Sequence, residues 1–221
     1  KLFVGPVLAV PENRFFISHY QFLESMTLAG VTMGGFGMGK PVMCNGAHLA
    51  YEKAAFEAVH GFEGNDHIAS GDDLFLLEKM QKAFPGEVHF LKNNTQVVYT
   101  KTEQNWSAVV NQRVRWAAKT SVYKSVFSKF IGIVVLAANV SLIIAFYLLF
   151  QSENGLFFLM LILLKWGVDE LFVYQVNAFF KREIHWLYLR LMAFLYPVVM
   201  VYIAMRALFG NYQWKGRTFK K

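Results

Sequence analysis

"FIGIVVLAANVSLIIAFYLLF", residues 130–150, carries no charged side chain over its whole length. As a helix it would rise about 30 Å, the thickness of a bilayer's hydrocarbon layer. Such a run fits either a membrane span or the wholly buried helix of a soluble core, and the span is the stronger reading. Two further apolar stretches follow it. Residues 155–180 hold Lys165, Asp169 and Glu170 near the centre, and Lys165 and Asp169, one helical turn apart, can neutralise each other. Residues 186–210 carry Arg190 near one end, Arg206 near the other and Pro197 between them. Residues 130–221 therefore read as a transmembrane region of two or three helices with a basic tail, and residues 1–129 as a mixed soluble region.

The net charge of +7 does not point to nucleic acid, because the Lys and Arg residues cluster beside the apolar segments. Between Lys101 and Lys129 there are six basic residues and one acid, which places the soluble region on the cytoplasmic side. The "QSEN" loop has no positive charge and suits the far side. "KRE" after the second stretch and "NYQWKGRTFKK" after the third are both basic, yet three full spans would put them on opposite sides. Either the second stretch is re-entrant or interfacial, or the basic tail ends outside. The single cysteine, Cys44, excludes an internal disulfide and suits a reducing compartment. With no initiator Met and no signal peptide, and opening on "KLFVGPVLAV" as if inside a strand, the chain reads as a fragment lacking its N-terminal part.

That opening segment is expected to be one short strand interrupted by Gly5 and Pro6. Asn13 is expected to cap a helix over "RFFISHYQFLESMTLAG" and Gly30 to end it, with "GGFGMGKP" as a turn. The wide apolar arc of this helix suits a membrane surface or a hydrophobic core. A short strand and a helix starting near Tyr51 to Lys53 follow. "HGFEGNDHIASG" forms a polar loop, and Asp72 or Asp73 opens the helix "LFLLEKMQKAF", ended by Pro85 and Gly86. "EVHFLKNNTQVVYT" reads as an extended pair about the "KNN" turn, and "WSAVVNQRVRWAAKTSVYK" as a helix.

Two places carry chemistry. Asp72 and Asp73 are adjacent carboxylates before an apolar run, which suits a helix cap, a metal site or a catalytic base. Gln112 and Arg115 share a helical face, and Arg115 presents a fork of donors fit for a diphosphate while Gln112 adds neutral ones. Trp116 offers a flat apolar plate for a sugar ring. The plainer reading of this helix is a membrane-surface anchor. His60 and His67 are loop residues, no Cys or His spacing suggests zinc, and Cys44 is a small packed residue without a base partner.

Taken together, "SGDDLFL" and "NQRVRW", in register across residues 1 to about 120, resemble the membrane-bound family 2 glycosyltransferases. The closer likeness is to processive polysaccharide synthases and ceramide-glucosyltransferase-like enzymes. The resemblance implies an α/β fold, the C-terminal part of a GT-A nucleotide-diphospho-sugar transferase domain, followed by interfacial and transmembrane helices. It implies that Asp73 is the catalytic base with Asp72 beside it, and that Gln112 and Arg115 face the nucleotide diphosphate. Trp116 would border the acceptor, and Cys44, Asn45 and Gly46 of "CNGAHLAYEK" would line the acceptor pocket. "QWKGRTFKK" resembles the Trp-Arg-Gly-Arg tail of some relatives. The implied partners are a nucleotide sugar, most simply a UDP-sugar, a lipid or polysaccharide acceptor, and the membrane. The family's earlier half supplies an Asp-x-Asp motif for a divalent cation, Mg²⁺ or Mn²⁺. Here the only Asp residues are Asp66, Asp72, Asp73 and Asp169, none in that pattern, so no metal ligand is expected in this chain.

Three functions remain. The first is the acceptor-side half of an inverting, membrane-embedded sugar transferase, inactive on its own. The second is a membrane-anchored binding or assembly protein that keeps the fold without catalysis. A transporter, which needs more spans and a polar path through them, is the weakest.

Overall fold

The computed structural model describes residues 1–64, 71–118 and 125–210, and the backbone of the short strands at 212–214 and 217–219. Among the described residues the chain is mostly helical, with three small sheets and two helices, Val126–Gln151 and Trp186–Phe209, long and apolar enough to cross a membrane. Asp66 and His67 lie outside the described residues, as do Lys119 and Lys124.

The opening segment divides between two sheets. β1 (Leu2–Val4) is the centre of a mixed three-stranded sheet, antiparallel to β3 (Leu49–Tyr51) and parallel to β4 (Val88–Phe90). β2 (Val7–Val10) pairs instead with β5 (Val98–Lys101), in parallel. The break falls at Gly5 and Pro6. Pro6 has no N–H to give to a ladder, and its carbonyl accepts from Val98 as the second sheet begins. The same division corrects the expected pair about "KNN": β4 and β5 do not pair with each other but follow β1 and β2 into separate sheets. Between them Asn93 accepts from the Thr95 N–H at 3.0 Å, making a local turn.

α2 (Lys53–Ala58) and α3 (Asp72–Ala83) cover the first sheet. Leu2 and Val4 are fully buried against Ala55, Val59, Leu74, Leu77 and Met80. Gly71, at φ +103, turns the chain into α3, and Gly86, at φ +83, turns it away after Pro85. Both positions lie in the left-handed region that side chains disfavour.

α1 (Phe16–Gly37) departs from expectation at both ends. Asn13 does not cap it; its Oδ1 accepts from the Phe15 N–H at 3.0 Å and from the Ser18 hydroxyl at 2.9 Å, shaping the approach. Gly30 does not end it either, and the helix runs on through "GGFG" until Gly39, at φ +66, closes it. Gly30 is a contact residue: a Cβ there would stand 2.4 Å from Val176 and 2.7 Å from Phe172. Of the two settings open to this helix, the core is the one observed.

After α4 (Trp106–Ala117) come three long helices, α5 (Val126–Gln151), α6 (Gly155–Phe180) and α7 (Trp186–Phe209). They match the three apolar stretches. Tyr20, Leu23, Met26 and Ala29 of α1 pack with Val173, Val176 and Phe180 of α6 and Leu189 and Met192 of α7. Val114 of α4 packs on Ile203 and Ala207 of α7. α5 and α6 meet through Leu142, Ala145 and Ile162. Lys165 pairs with Asp169 as the spacing suggests, and Glu170 pairs with Arg190 of α7, a partner the spacing alone does not show. A terminal antiparallel hairpin of β6 (Tyr212–Trp214) and β7 (Arg217–Phe219) sets β6 beside α4.

The outward faces of α5 and α6 remain bare. Ile133, Tyr147, Phe150, Leu156 and Leu164 are between 65 % and 82 % exposed. Each such side chain gains about 1.5–3 kcal/mol on leaving water, so an apolar covering is strongly favoured.

Candidate active site

The first cluster forms where α3 begins. Asp73 stands in the first turn, where free backbone N–H groups and the helix dipole favour a carboxylate. Its Oδ1 accepts from the Leu74 N–H and its Oδ2 from the Gly46 N–H, both at 2.9 Å. Asp73 is half-buried and Asp72 is exposed. The two carboxylates thus have different surroundings, and Asp73 is the one tied to a distant segment.

That segment is the Cys44–Gly46 loop. Asn45 accepts from the Ala47 N–H at 3.0 Å and so caps a single turn of 3-10 helix. Gly46 is exposed and lies against the carboxylate; a Cβ there would meet Asp73 at 3.5 Å, an ordinary contact. Burial, and after it the Asp73 charge, pushes the Cys44 thiol well above its usual pKa, which argues against a reactive thiolate. The loop is anchored from behind by His48. Its ring Nδ1 lies 3.1 Å from the Pro6 carbonyl, and its own carbonyl accepts from Gly5 at 2.9 Å. The ring stands where a Gly5 Cβ would be, 2.2 Å away, so only glycine admits it. Sequence reasoning took Gly5 as a strand break and passed over His48; Gly-Pro inside an apolar strand was the available signal.

Ahead of α3, Lys79 donates to the carbonyls of Gly61 (2.8 Å) and Glu63 (2.7 Å), fastening the preceding loop to the helix. An open surface hollow of about 470 Å³, lined by Phe56, Glu57, His60, Gly61, Phe62 and Glu63, sits on that loop's near side. His60 faces Glu63 at 3.9 Å.

The second cluster is on α4, capped by Asn105, which accepts from the Ala108 N–H at 2.9 Å. Gln112 donates to Glu103 at 2.8 Å and accepts from Arg113. One of its amide hydrogens is therefore already committed, a restraint on the diphosphate-facing role expected for it. Arg115 is half-buried and Trp116 is 37 % exposed. The residue that sequence reasoning missed is Arg113. It is buried, forms an ion pair with Glu24 of α1, and its guanidinium lies 4.6 Å from the Trp116 ring centroid. One buried arginine thus braces both Gln112 and Trp116.

The structure brings Asp73 together with Gly46, and gathers Gln112 and Trp116 around Arg113. These are two clusters on different elements, the second on the helix that β6 accompanies. Among the described residues no group of three or more His, Cys, Asp or Glu side chains converges as a metal site. The described residues therefore do not gather the donors that the expected divalent cation needs. Comparison with family models, with curated proteins and with solved structures finds no match to this chain.

Proposed function

We propose that the chain is the acceptor-side half of an inverting glycosyltransferase of GT-A type, held in a membrane with its sheets on the cytoplasmic side. A nucleotide sugar, UDP-linked in the simplest case, donates to a lipid or growing polysaccharide. The acceptor hydroxyl attacks the anomeric carbon, the bond from that carbon to the diphosphate breaks, and the hydroxyl proton passes to Asp73. Arg115, with Gln112, answers the charge that builds on the departing diphosphate. Trp116 gives the acceptor sugar a stacking surface, and Cys44, Asn45 and the small, exposed Gly46 leave room for it beside the base.

The observation that carries this reading is the Gly46–Asp73 hydrogen bond. It sets a turn without bulk directly against a half-buried carboxylate at a helix N-terminus. The bond ties this carboxylate to a segment 27 residues away, beyond the first turn of the helix that it belongs to.

The test is transfer of radiolabelled sugar by the full-length enzyme in lipid. Asp73→Asn is expected to lower turnover about 10²- to 10⁴-fold while donor affinity is kept. Arg115→Ala is expected to weaken both donor binding and turnover, and Trp116→Ala chiefly acceptor use. Turnover at the wild-type rate by Asp73→Asn would remove Asp73 from its role. Sound folding with no transfer by the full-length wild type toward any sugar donor would favour a binding or assembly protein.

A further inference from the structure

We propose that Gln21, Glu24, Glu103 and Arg113 are positioning residues. With Gln112 they close a hydrogen-bonded ring that aims the Gln112 amide at the donor diphosphate and holds the Trp116 side chain at the acceptor. This rests on the sugar-transfer reading above and deepens it by naming what orients two of its binding residues.

The ring runs between α1, the 102–105 segment and α4. Gln21 and Glu24 are three residues apart on α1, so they share a face, and both are buried. The Gln21 amide holds the main chain of Glu103: its Nε2 donates to the Glu103 carbonyl at 2.9 Å, and its Oε1 accepts from the Glu103 N–H at 2.8 Å. The carboxylate of Glu103 then accepts from Nε2 of Gln112 at 2.8 Å. Oε1 of Gln112 accepts from Nη1 of Arg113, and Arg113 closes the circuit on Glu24 through Nε at 2.9 Å and Nη2 at 2.6 Å.

The ring leaves Gln112 one amide orientation. Turned over, its NH₂ would face the guanidinium hydrogens and its carbonyl oxygen the Glu103 carboxylate, two repulsions in place of two hydrogen bonds. In the observed orientation one Nε2 hydrogen is engaged by Glu103, and the other is committed to no described residue. Gln112 thus offers a single N–H in a fixed direction. Arg113 acts on Trp116 in a related way. Gln112 and Trp116 are one turn apart on α4, and the Arg113 guanidinium lies over the Trp116 ring, 4.6 Å from its centroid, backing a side chain that is otherwise partly open to solvent.

The base of the ring is firm, because Tyr20, Leu23 and Met26, interleaved with Gln21 and Glu24, pack in one core with α6 and α7. The Arg113–Glu24 pair and the two Gln21 bonds already join α1 to the later segments. The side-chain bond from Glu103 acts on Gln112 alone, so its removal separates orientation from stability.

Donor and acceptor kinetics of the full-length enzyme in lipid, together with UDP affinity by titration calorimetry, test this. Glu103→Ala is expected to lower kcat/KM for the donor and to weaken UDP binding, each about 2- to 10-fold, the effect of one hydrogen bond. The acceptor KM and the denaturation midpoint are expected to stay near wild type. Glu103→Gln, whose amide carbonyl still accepts from Gln112, is expected to restore donor use. In a Gln112→Ala background Glu103→Ala is expected to add nothing. Arg113→Lys keeps a cation for Glu24 without a planar guanidinium, and is expected to raise the acceptor KM about 2- to 5-fold, an effect absent in a Trp116→Ala background. Wild-type donor use by Glu103→Ala, or its full effect in the Gln112→Ala background, would overturn the positioning of Gln112 while leaving sugar transfer intact. A wild-type acceptor KM in Arg113→Lys would do the same for Trp116. A wild-type enzyme that transfers from no nucleotide sugar would overturn both the positioning and the reading beneath it.

Discussion

Arg113 and Glu24 meet almost wholly enclosed, 7 % and 6 % exposed, with Nη2 2.6 Å and Nε 2.9 Å from one carboxylate oxygen. The pair joins α4 to α1 beneath Gln112 and Trp116. Removing one partner strands the other charge in an enclosed site, a loss of about 3–5 kcal/mol. Arg113→Met is expected to lower the denaturation midpoint in detergent sharply, and Arg113→Met with Glu24→Leu to recover much of the loss. A single variant as stable as wild type would show that the pair is wet and weak.

Two glycines of α1 are expected to respond oppositely. Gly30→Ala drives a methyl group into Val176 and Phe172, and overpacking of this kind costs about 1–3 kcal/mol. Gly34 has nothing within 4 Å of a Cβ, so Gly34→Ala is expected to gain up to about 1 kcal/mol through helix propensity. Chemical denaturation of both variants in one detergent checks the contrast. Equal effects would place the α1–α6 contact elsewhere.

Cys44 reports on Asp73. Its thiol is pushed up first by burial and then by the neighbouring carboxylate, so it is expected to alkylate slowly at mildly alkaline pH. Asp73→Asn removes the second influence and is expected to quicken the reaction, readable by mass spectrometry. An unchanged rate would mean that the two side chains do not sense each other.

The fold holds His19 below its ordinary pKa of 6.5, first by burial and then through His185. The unfolded chain therefore takes up its proton first as pH falls. The stability this residue contributes is present above pH 6.5 and is lost as pH drops through the lower, folded-state value. Melting midpoints measured from neutral pH downward are expected to fall less in His19→Phe than in wild type. Parallel curves would exclude His19 as a contributor.

The three apolar helices and the opening of α3 were legible because their signals are local: uninterrupted apolar length, an acidic pair and flanking glycines. Gly30 misled because a glycine late in a helical pattern looks the same whether it caps the helix or admits a neighbour. Only the approach of Val176 and Phe172, far along the chain, separates the two cases. Arg113 was hidden for a similar reason. Within "NQRVRW" nothing distinguishes the arginine that turns inward from the one beside Trp116, because Glu24 lies 89 residues away. The division of the opening segment between two sheets was half visible: Pro6 announced a break, but the partners on either side of it are a matter of tertiary pairing.

That division ties the two sheets mechanically. Leu2↔Val88 and Val7↔Val98 are parallel registers set by the same two lengths of chain, 1–10 and 88–101. The joints between them are pinned as well, Leu91 donating to the Val4 carbonyl at 2.8 Å and Val98 to the Pro6 carbonyl at 3.0 Å. A slip by one residue in either sheet would drag the other and turn Leu2 and Val4 out of the core. Neither sheet can therefore melt or re-register alone. In hydrogen exchange the amides of β4 and β5 should open as one cooperative unit, so that the loop facing Asp73 keeps its place until the whole sheet region gives way.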